Sequence, residues 1–523
     1  MANKKLFATI AGKLAPKTDA VNEAGGLAYA LTPKEALAQY AATGCLNGTF
    51  YASAKEQLDA VLALCAKVDD LFIARTAVYC RERGFMKDMP ALLCAVLAAR
   101  NTGLLEAIFP RVIDNGKMLR TFLQILRSGV TGRKSLGTAP KRMVLRWLES
   151  RRDEVLFRDA VGRAPSLGDV LRMVHPRPAS KTREALYGYL LRRPYDPEAL
   201  PQLVRDYEAF RWGATEDVPD VPFQMLTSLE LSTEVWMEIA RKAPWQMTRM
   251  NLNTFARHGV FADEEVTLTI AARLADPEAI RKARVFPYQL LTAFTAAGED
   301  VPQFVRDALE EAMEIATGNV PAIDGQVYVC PDVSGSMESP VTGTQGSATS
   351  AVRCIDVAAL VAASIVRRNP SAKVLPFEDH VVDVQLDPRD SIMTNAEKLA
   401  AVGGGGTACS KPLLRLNQQM AHGDLVVFVS DNESWADPQH GQGTEMMRHW
   451  DRFKRRNPDA RLVCIDLQPS GTTQAQSRED VLNVGGFSDA VFTLIADFAA
   501  GRMAAGQWSK IIDDVAIAQP AVA

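Results

Sequence analysis

Asp332, Ser334 and Ser336 stand at alternating positions after the apolar run Tyr328-Val329-Cys330, so one carboxylate and two hydroxyls are offered to a single point. If that run is a strand, loop residues at i, i+2 and i+4 converge at its carboxyl end. Mg²⁺ suits such a set, because it takes oxygen donors in an octahedral shell that water helps to fill. Two further pieces of sequence are placed to join it. Thr407 closes the run Gly403-Gly404-Gly405-Gly406-Thr407 ahead of a helical stretch, and Asp431 follows the apolar strand Leu425-Val426-Val427-Phe428-Val429. All three pieces would lie at the carboxyl ends of strands, the edge where open α/β sheets bind ligands. Alone, D-x-S-x-S also reads as a solvated Ser/Gly turn; three separated pieces agreeing in order and context favour the cation. A phosphate loop is the poorer reading, since it needs Gly-Lys-Ser/Thr and Thr407 is followed by Ala408-Cys409-Ser410-Lys411.

This constellation resembles the metal-ion-dependent adhesion site of von Willebrand factor A domains. The resemblance implies that Ser334, Ser336 and Thr407 touch a divalent cation, Mg²⁺, through their hydroxyls. It also implies that Asp332 and Asp431 hold the ion directly or through water, with one position left open for a partner's carboxylate. A catalytic reading is weak. Ser334 and Ser336 lack a G-x-S-x-G elbow and a recognisable base, and no carboxylate cluster of the two-metal nuclease type is visible. The chain is therefore expected not to be an enzyme.

The surrounding elements fall into two textures. From about Pro33 to Gly318 apolar residues recur at three- and four-residue intervals, as in Leu58-Val61-Leu62-Cys65 and Met118-Phe122-Leu123-Ile125-Leu126. Gly84, Pro90, Gly103, Pro110 and Gly116 punctuate helices of about 12–16 residues. Short helices in this order suit a HEAT-like solenoid, in which each pair buries its apolar face on the next; with no strict sequence period, an irregular all-α domain is the other reading. After Gly318-Asn319-Val320-Pro321 short strands alternate with helices. Strands are expected at Gln326–Cys330, Lys373–Phe377, His380–Gln385, Leu425–Val429 and Arg461–Leu467, and helices near Ala351–Arg368, Ser391–Val402, Lys411–Met420, Gly443–Arg456 and Ser488–Ala499. That alternation means a mainly parallel sheet covered on both faces. Pro376 should end its strand early or carry a bulge.

At 523 residues the chain has room for two domains, and 47% apolar with 23% charged residues is ordinary soluble composition. Eight cysteines without a C-x-x-C pair read as small core residues in a reducing compartment. Six histidines without an i, i+4 pair make a zinc site a poor reading. Lys13 and Lys17 interrupt the amino-terminal apolar stretch too early for a signal peptide, so Met1–Ile10 reads as a loosely ordered arm. No window nears the ~20 apolar residues of a membrane span, and the protein is expected to be cytoplasmic.

Net charge is −3, but it is segregated. Between Arg133 and Arg193 fifteen Lys/Arg face six acids, so this window is +9 and the remainder −12. Arg142 and Arg146 lie four apart on one helix face, beside Arg133, Lys134 and Lys141. Downstream, Arg172, His175, Arg177, Lys181 and Arg183 surround a Pro-rich turn. Cations displayed this way neutralise phosphates with strong salt dependence and little sequence preference. Each alone is as readily a solvated helix surface; the cluster is what points to a polyanion. Trp147, Tyr187 and Tyr189 could stack on bases but sit at core spacing. Neither RNA-recognition-motif aromatics nor a KH-type G-x-x-G loop appears, so shape and charge would set affinity.

Asn22-Glu23-Ala24-Gly25-Gly26, Tyr29 and Asn47-Gly48-Thr49-Phe50-Tyr51 resemble the opening of the TROVE module of Ro ribonucleoproteins. So do Leu252-Asn253-Thr254-Phe255-Ala256 and the stretch from Lys282 to Leu291, and Ser430-Asp431-Asn432-Glu433-Ser434-Trp435 is similar to that family's third metal-site loop. The resemblance implies a TROVE module over 1–320, a ring of HEAT-like helices, closed by a Rossmann-like von Willebrand factor A domain over 321–523. It implies small noncoding Y RNA on an outer basic surface, with His175 at a matching position. It further implies single-stranded ends of misfolded RNA in a central hole, and a recruited exoribonuclease such as polynucleotide phosphorylase. A closed ring needs only one chain, so a monomer is expected. The residues Gly132 to Pro140 depart from the vertebrate-like pattern. The rival reading is a protein-interaction scaffold that uses the helical repeats and a Mg²⁺-dependent A domain without nucleic acid.

Overall fold

The computed structural model describes residues 17–517 except 45, 228, 284–286, 318–319, 321, 346–347, 350–351, 438–442, 487–488 and 504–506. The arm read at Met1–Ile10, together with Cys45, Arg284-Val285-Phe286 and Gly318-Asn319, lies outside the described residues. Ten strands are described: β1 Ala20–Val21, β2 Leu27–Ala30, β3 Val327–Pro331, β4 Thr344–Gln345, β5 Ala348–Thr349, β6 Lys373–Val374, β7 Leu425–Ser430, β8 Arg461–Asp466, β9 Thr472–Thr473 and β10 Val481–Gly485.

Five of them make one parallel sheet in the order β10-β8-β7-β3-β6. The central strands β3 and β7 are buried along their whole length, as continuous apolar runs between covering helices must be. Tyr328, Cys330, Val426 and Phe428 share a core with Leu413, Leu416, Met447, Trp450 and Phe453 from the helices Lys411–Gln418 and Glu445–Arg456. Helix Cys354–Arg368 packs against β3 and β7. β6 stops at Val374, but bonding to β3 runs on through the proline: the Leu375 amide donates to the Val329 carbonyl at 2.8 Å and the Phe377 amide to the Pro331 carbonyl at 3.0 Å, so Pro376, which has no N–H, takes the alternate position facing away from β3.

The strand expected at His380–Gln385 does not form. Val381 bridges back to Phe377 and the Val382 amide donates to the Pro376 carbonyl at 2.8 Å, but Pro376 has no N–H to return that bond and the pairing goes no further. The true fifth strand is β10, which lay unread in Val481-Leu482-Asn483-Val484-Gly485.

The chain divides into two compact units, and in space the division does not fall at 320/321. One unit holds the described part of the first 68 residues, Ile280–Ala296 and Leu309–Asp514; the other holds Asp69–Ala279 and Ala297–Ala308, with residues from Val515. The opening segment joins the carboxyl-terminal sheet region through backbone pairing. β1 and β2 form a hairpin, and β2 continues antiparallel onto β9, Tyr29 facing Thr473 and Ala30 facing Thr472. Tyr29 is then buried in the same core as Phe428 and Trp450. A Cβ on Gly26 would stand 2.0 Å from the Ser434 carbonyl, so glycine is required for that approach.

The second unit is helical. Its centre is the helix Asp88–Arg100, buried from Met89 to Ala98 and packed by Asp70–Glu82, Thr102–Val112 and Gly116–Ser128. The short helices are held by caps: Asp69, Asn101, Asn115, Ser166 and Ser180 each accept a backbone N–H from the first turn that follows. Among the described residues no helix is long and apolar enough to cross a membrane. The described cysteines are all buried free thiols.

Candidate metal centre and nucleic-acid face

Adjacent parallel strands deliver the two carboxylates. β3 and β7 run in register, Pro331 beside Val429, and the Asp332 amide extends the ladder by donating to the Val429 carbonyl at 2.9 Å. Asp332 and Asp431 therefore emerge side by side at the carboxyl edge. The Asp332 carboxylate accepts the Ser334 amide (2.9 Å) and the Ser430 hydroxyl (2.5 Å).

The glycine run brings the third piece. The Gly404 amide donates to the Val333 carbonyl and the Gly335 amide to the Gly405 carbonyl, both at 2.9 Å. Gly403 has φ +100°, and a Cβ there would meet the Val333 carbonyl at 2.0 Å. This close lacing sets the Thr407 hydroxyl 2.9 Å from Ser334 Oγ, which is 3.3 Å from Ser336 Oγ. The structure thus brings together all five residues named for the cation, Asp332, Ser334, Ser336, Thr407 and Asp431.

The donors fit a hard cation on three counts. First, the set is all oxygen. Second, Asp431 Oδ2 is buried with no hydrogen-bond partner among the described residues. Third, the site gathers negative charge. Burial holds the Asp332 carboxyl above the usual carboxylate range and the Asp431 charge beside it adds to this; burial likewise raises Asp431. Burial pushes Glu433 up to about 8, and Asp466 is raised well above its ordinary value by burial and then by the charges of Glu433 and Asp431. A divalent ion is the natural counter-charge to such a group.

Glu433 and Asp466 were missed in the sequence. Glu433 sat two residues past Asp431 in a motif already singled out; Asp466 carried no signal beyond ending a strand next to β7. The amino-terminal segment supplies a hydrogen-bond donor to each of these carboxyls, and Ser470 Oγ donates to Glu433 as well, at 3.4 Å. Gln39 Nε2 donates to Asp466 (2.6 Å), and the Ala24 amide donates to Glu433 (3.1 Å).

The basic residues lie on the helical unit. Arg142 and Arg146 project from helix Thr138–Glu149, whose other face buries Met143, Val144, Trp147 and Leu148. Their side chains are 53% and 59% exposed, yet both meet one carboxylate, Glu106 of helix Thr102–Val112, Arg146 in close contact and Arg142 at 3.7 Å. Helix Leu167–Val174 packs on Thr138–Glu149 and carries Arg172, which pairs with Asp169 at 2.8 Å. It ends at His175, exposed and in the left-handed region at φ +50°. Arg177 and Lys181 follow, both exposed, and Lys134 and Lys141 stand before and within the Arg142 helix.

Two of the named cations are turned to internal work. Arg133 donates to the carbonyls of Ala98 (2.6 Å) and Ser135 (3.0 Å). Arg183 is largely buried; it pairs with Asp153 and donates to the carbonyls of Leu148 and Arg151. It bolts helix Lys181–Leu191 to the end of Thr138–Glu149, so its charge is consumed by the fold. Trp147 and Tyr187 are core, as their spacing indicates: the Trp147 indole donates to the Ile113 carbonyl at 2.6 Å and its ring is covered by Arg151, 4.6 Å from the centroid.

Comparison with known proteins bears on both regions. The Ro60 vWA domain family matches residues 326–499 and the TROVE domain family residues 218–328. A Deinococcus radiodurans protein named RNA-binding protein RO60 is 27% identical over 92% of this chain and 95% of its own length. A Caenorhabditis elegans protein of the same name is 24% identical over 53% of this chain and 44% of its own. The crystal structure of the Deinococcus radiodurans RO (RSR) protein superposes with a TM-score of 0.60 at 23% identity, covering 90% of this chain and all of that one, a likeness of fold.

Proposed function

Because this chain belongs to the Ro family, with a TROVE domain followed by a Ro60-type von Willebrand factor A domain, we propose that it is an RNA-binding protein and not itself an enzyme. Structured small RNA of the Y type is held on the exposed cations of the helical unit. Single-stranded ends of misfolded RNA are taken into a central hole, and a recruited exoribonuclease, of the polynucleotide phosphorylase kind, carries out any degradation. The observation that supports this most is the relationship along nearly the whole chain to a protein named for RNA binding, together with Arg142, Arg146, Arg172, His175, Arg177 and Lys181 exposed on packed or consecutive helices. Phosphate contacts of this sort give affinity without base reading.

The carboxyl-terminal unit is proposed to hold Mg²⁺ through Asp332, Ser334, Ser336, Thr407 and Asp431. A bound ion would neutralise the buried carboxylates and supply a positive charge to a carboxylate ligand. The protein's own part is to fix five oxygens on three loops laced by glycines.

Filter binding of a structured small RNA across a salt series tests the RNA reading. A steep fall in affinity with salt, made shallower by R142Q/R146Q, supports it. Absence of RNA retention at low salt would favour the scaffold reading.

A further inference from the structure

The five donors of the metal centre are all buried, from 0% exposure at Asp332 to 6% at Ser336. An adhesion-type site open to a partner would present them at a mouth. This chain's own residues 47–51 stand beside that site. That segment lies along the loop that follows Asp332-Val333-Ser334-Gly335-Ser336: the Thr344 amide donates to the Gly48 carbonyl at 2.8 Å, the Gly48 amide donates back at 3.1 Å, and Asn47 Nδ2 donates to the Thr342 carbonyl at 2.8 Å. The seating is tight. Gly343 has φ +69°, and a Cβ there would stand 2.6 Å from the Gly48 carbonyl and 2.9 Å from Asn47 Cβ. The segment is anchored beyond this point by the Thr49–Ala52 turn and the Ser53/Glu56 capping box of helix Ala54–Lys67.

At the end of this segment Tyr51 lies near Ser336, Asp431, Glu433 and Asp332, and burial, followed by the Asp431 charge, pushes its phenol up. Its ring is braced edge-on by Phe50, 4.8 Å between centroids. A phenol near one donor of the cation, on a segment tied to the next loop, can register whether the ion is there.

We propose that residues 47–51 form a strap over the metal centre, with Tyr51 a positioning residue for Ser336, so that cation binding and strap seating are coupled and an outside carboxylate reaches the ion only when the strap lifts. This rests on the metal reading given above. The centre then acts as a clasp between the amino-terminal segment and the sheet, and docking by a partner requires the clasp to open.

The test uses the full chain with Mn²⁺ as a paramagnetic probe and acetate as the carboxylate. Hydrogen–deuterium exchange of residues 46–52 is measured with and without Mg²⁺. In the wild type, Mg²⁺ is expected to slow that exchange at least about fivefold, and acetate to leave the water-proton relaxation of bound Mn²⁺ unchanged. In Y51A, and in G343A, where the added methyl displaces the strap without touching a donor, acetate should lower the relaxation. Y51F should keep acetate out, because the ring remains, while weakening Mn²⁺ binding. Equal acetate sensitivity in the wild type and both strap variants, or exchange indifferent to Mg²⁺, overturns the clasp and leaves the metal reading standing. Failure of the wild type to bind Mn²⁺ at all overturns the metal reading and the clasp with it.

Discussion

Glu106 separates two roles that Arg142 and Arg146 could have. Both guanidinium groups share its carboxylate, which is about one-third exposed while they are more than half exposed. An ion pair of that exposure is worth up to about 1 kcal/mol. If the two arginines bind phosphate, RNA must compete with Glu106 for them, and E106Q should tighten RNA binding by up to about fivefold at low salt, the same energy expressed as affinity. Removing the arginines acts in the opposite direction and on a different observable. Each phosphate contact contributes about 0.9 to the slope of log affinity against log salt, so R142Q/R146Q should make that slope shallower by about 1.8. Filter binding of one structured RNA at several salt concentrations measures both. Weaker binding by E106Q would mean that the carboxylate holds the arginines in their binding posture. An unchanged slope in R142Q/R146Q would remove them from the interface, and that slope together with wild-type affinity in E106Q would refute the placement of RNA on this face.

Asp332→Ala should abolish divalent cation binding, followed by equilibrium dialysis, while RNA affinity stays within about twofold; equal loss of both would show that the two units do not divide the work. Glu433, held at about 8 when folded against an ordinary 4.5, binds its proton more tightly in the native state. Its stabilising contribution is therefore full at low pH and lost as pH rises from 4.5 through 8. Metal-free protein should melt lower at pH 9 than at pH 6, and E433Q should flatten that decline in a thermal scan. Arg183→Ala should cost about 2–4 kcal/mol in denaturant unfolding, by stranding Asp153 and two carbonyls, and should leave the salt slope of RNA binding unchanged.

Much of this was legible in the chain itself. Asp332, Ser334, Ser336, Thr407 and Asp431 could be picked out because the loop after a buried parallel strand has few ways to point: where the apolar run stops, the next polar residues must sit at the sheet edge. The helical and α/β textures follow from periodicity, and Pro376 is tolerated because its missing N–H falls on the side of the chain away from β3. His380–Gln385 misled because period-two alternation says a segment can be a strand, not that a neighbour exists to receive it.

What only the tertiary structure decided is pairing across long separations. Local sequence carries no record of which distant residue stands opposite, since that depends on how whole elements pack. So Glu106 faces Arg142 and Arg146 of a later helix, Arg183 spends its charge on Asp153, and Tyr51 lies near Ser336. The amino-terminal segment folds with the sheet through β2 and β9 although more than four hundred residues lie between them. A cation count shows where positive charge is available; burial and partners determine which of those charges remain for a ligand.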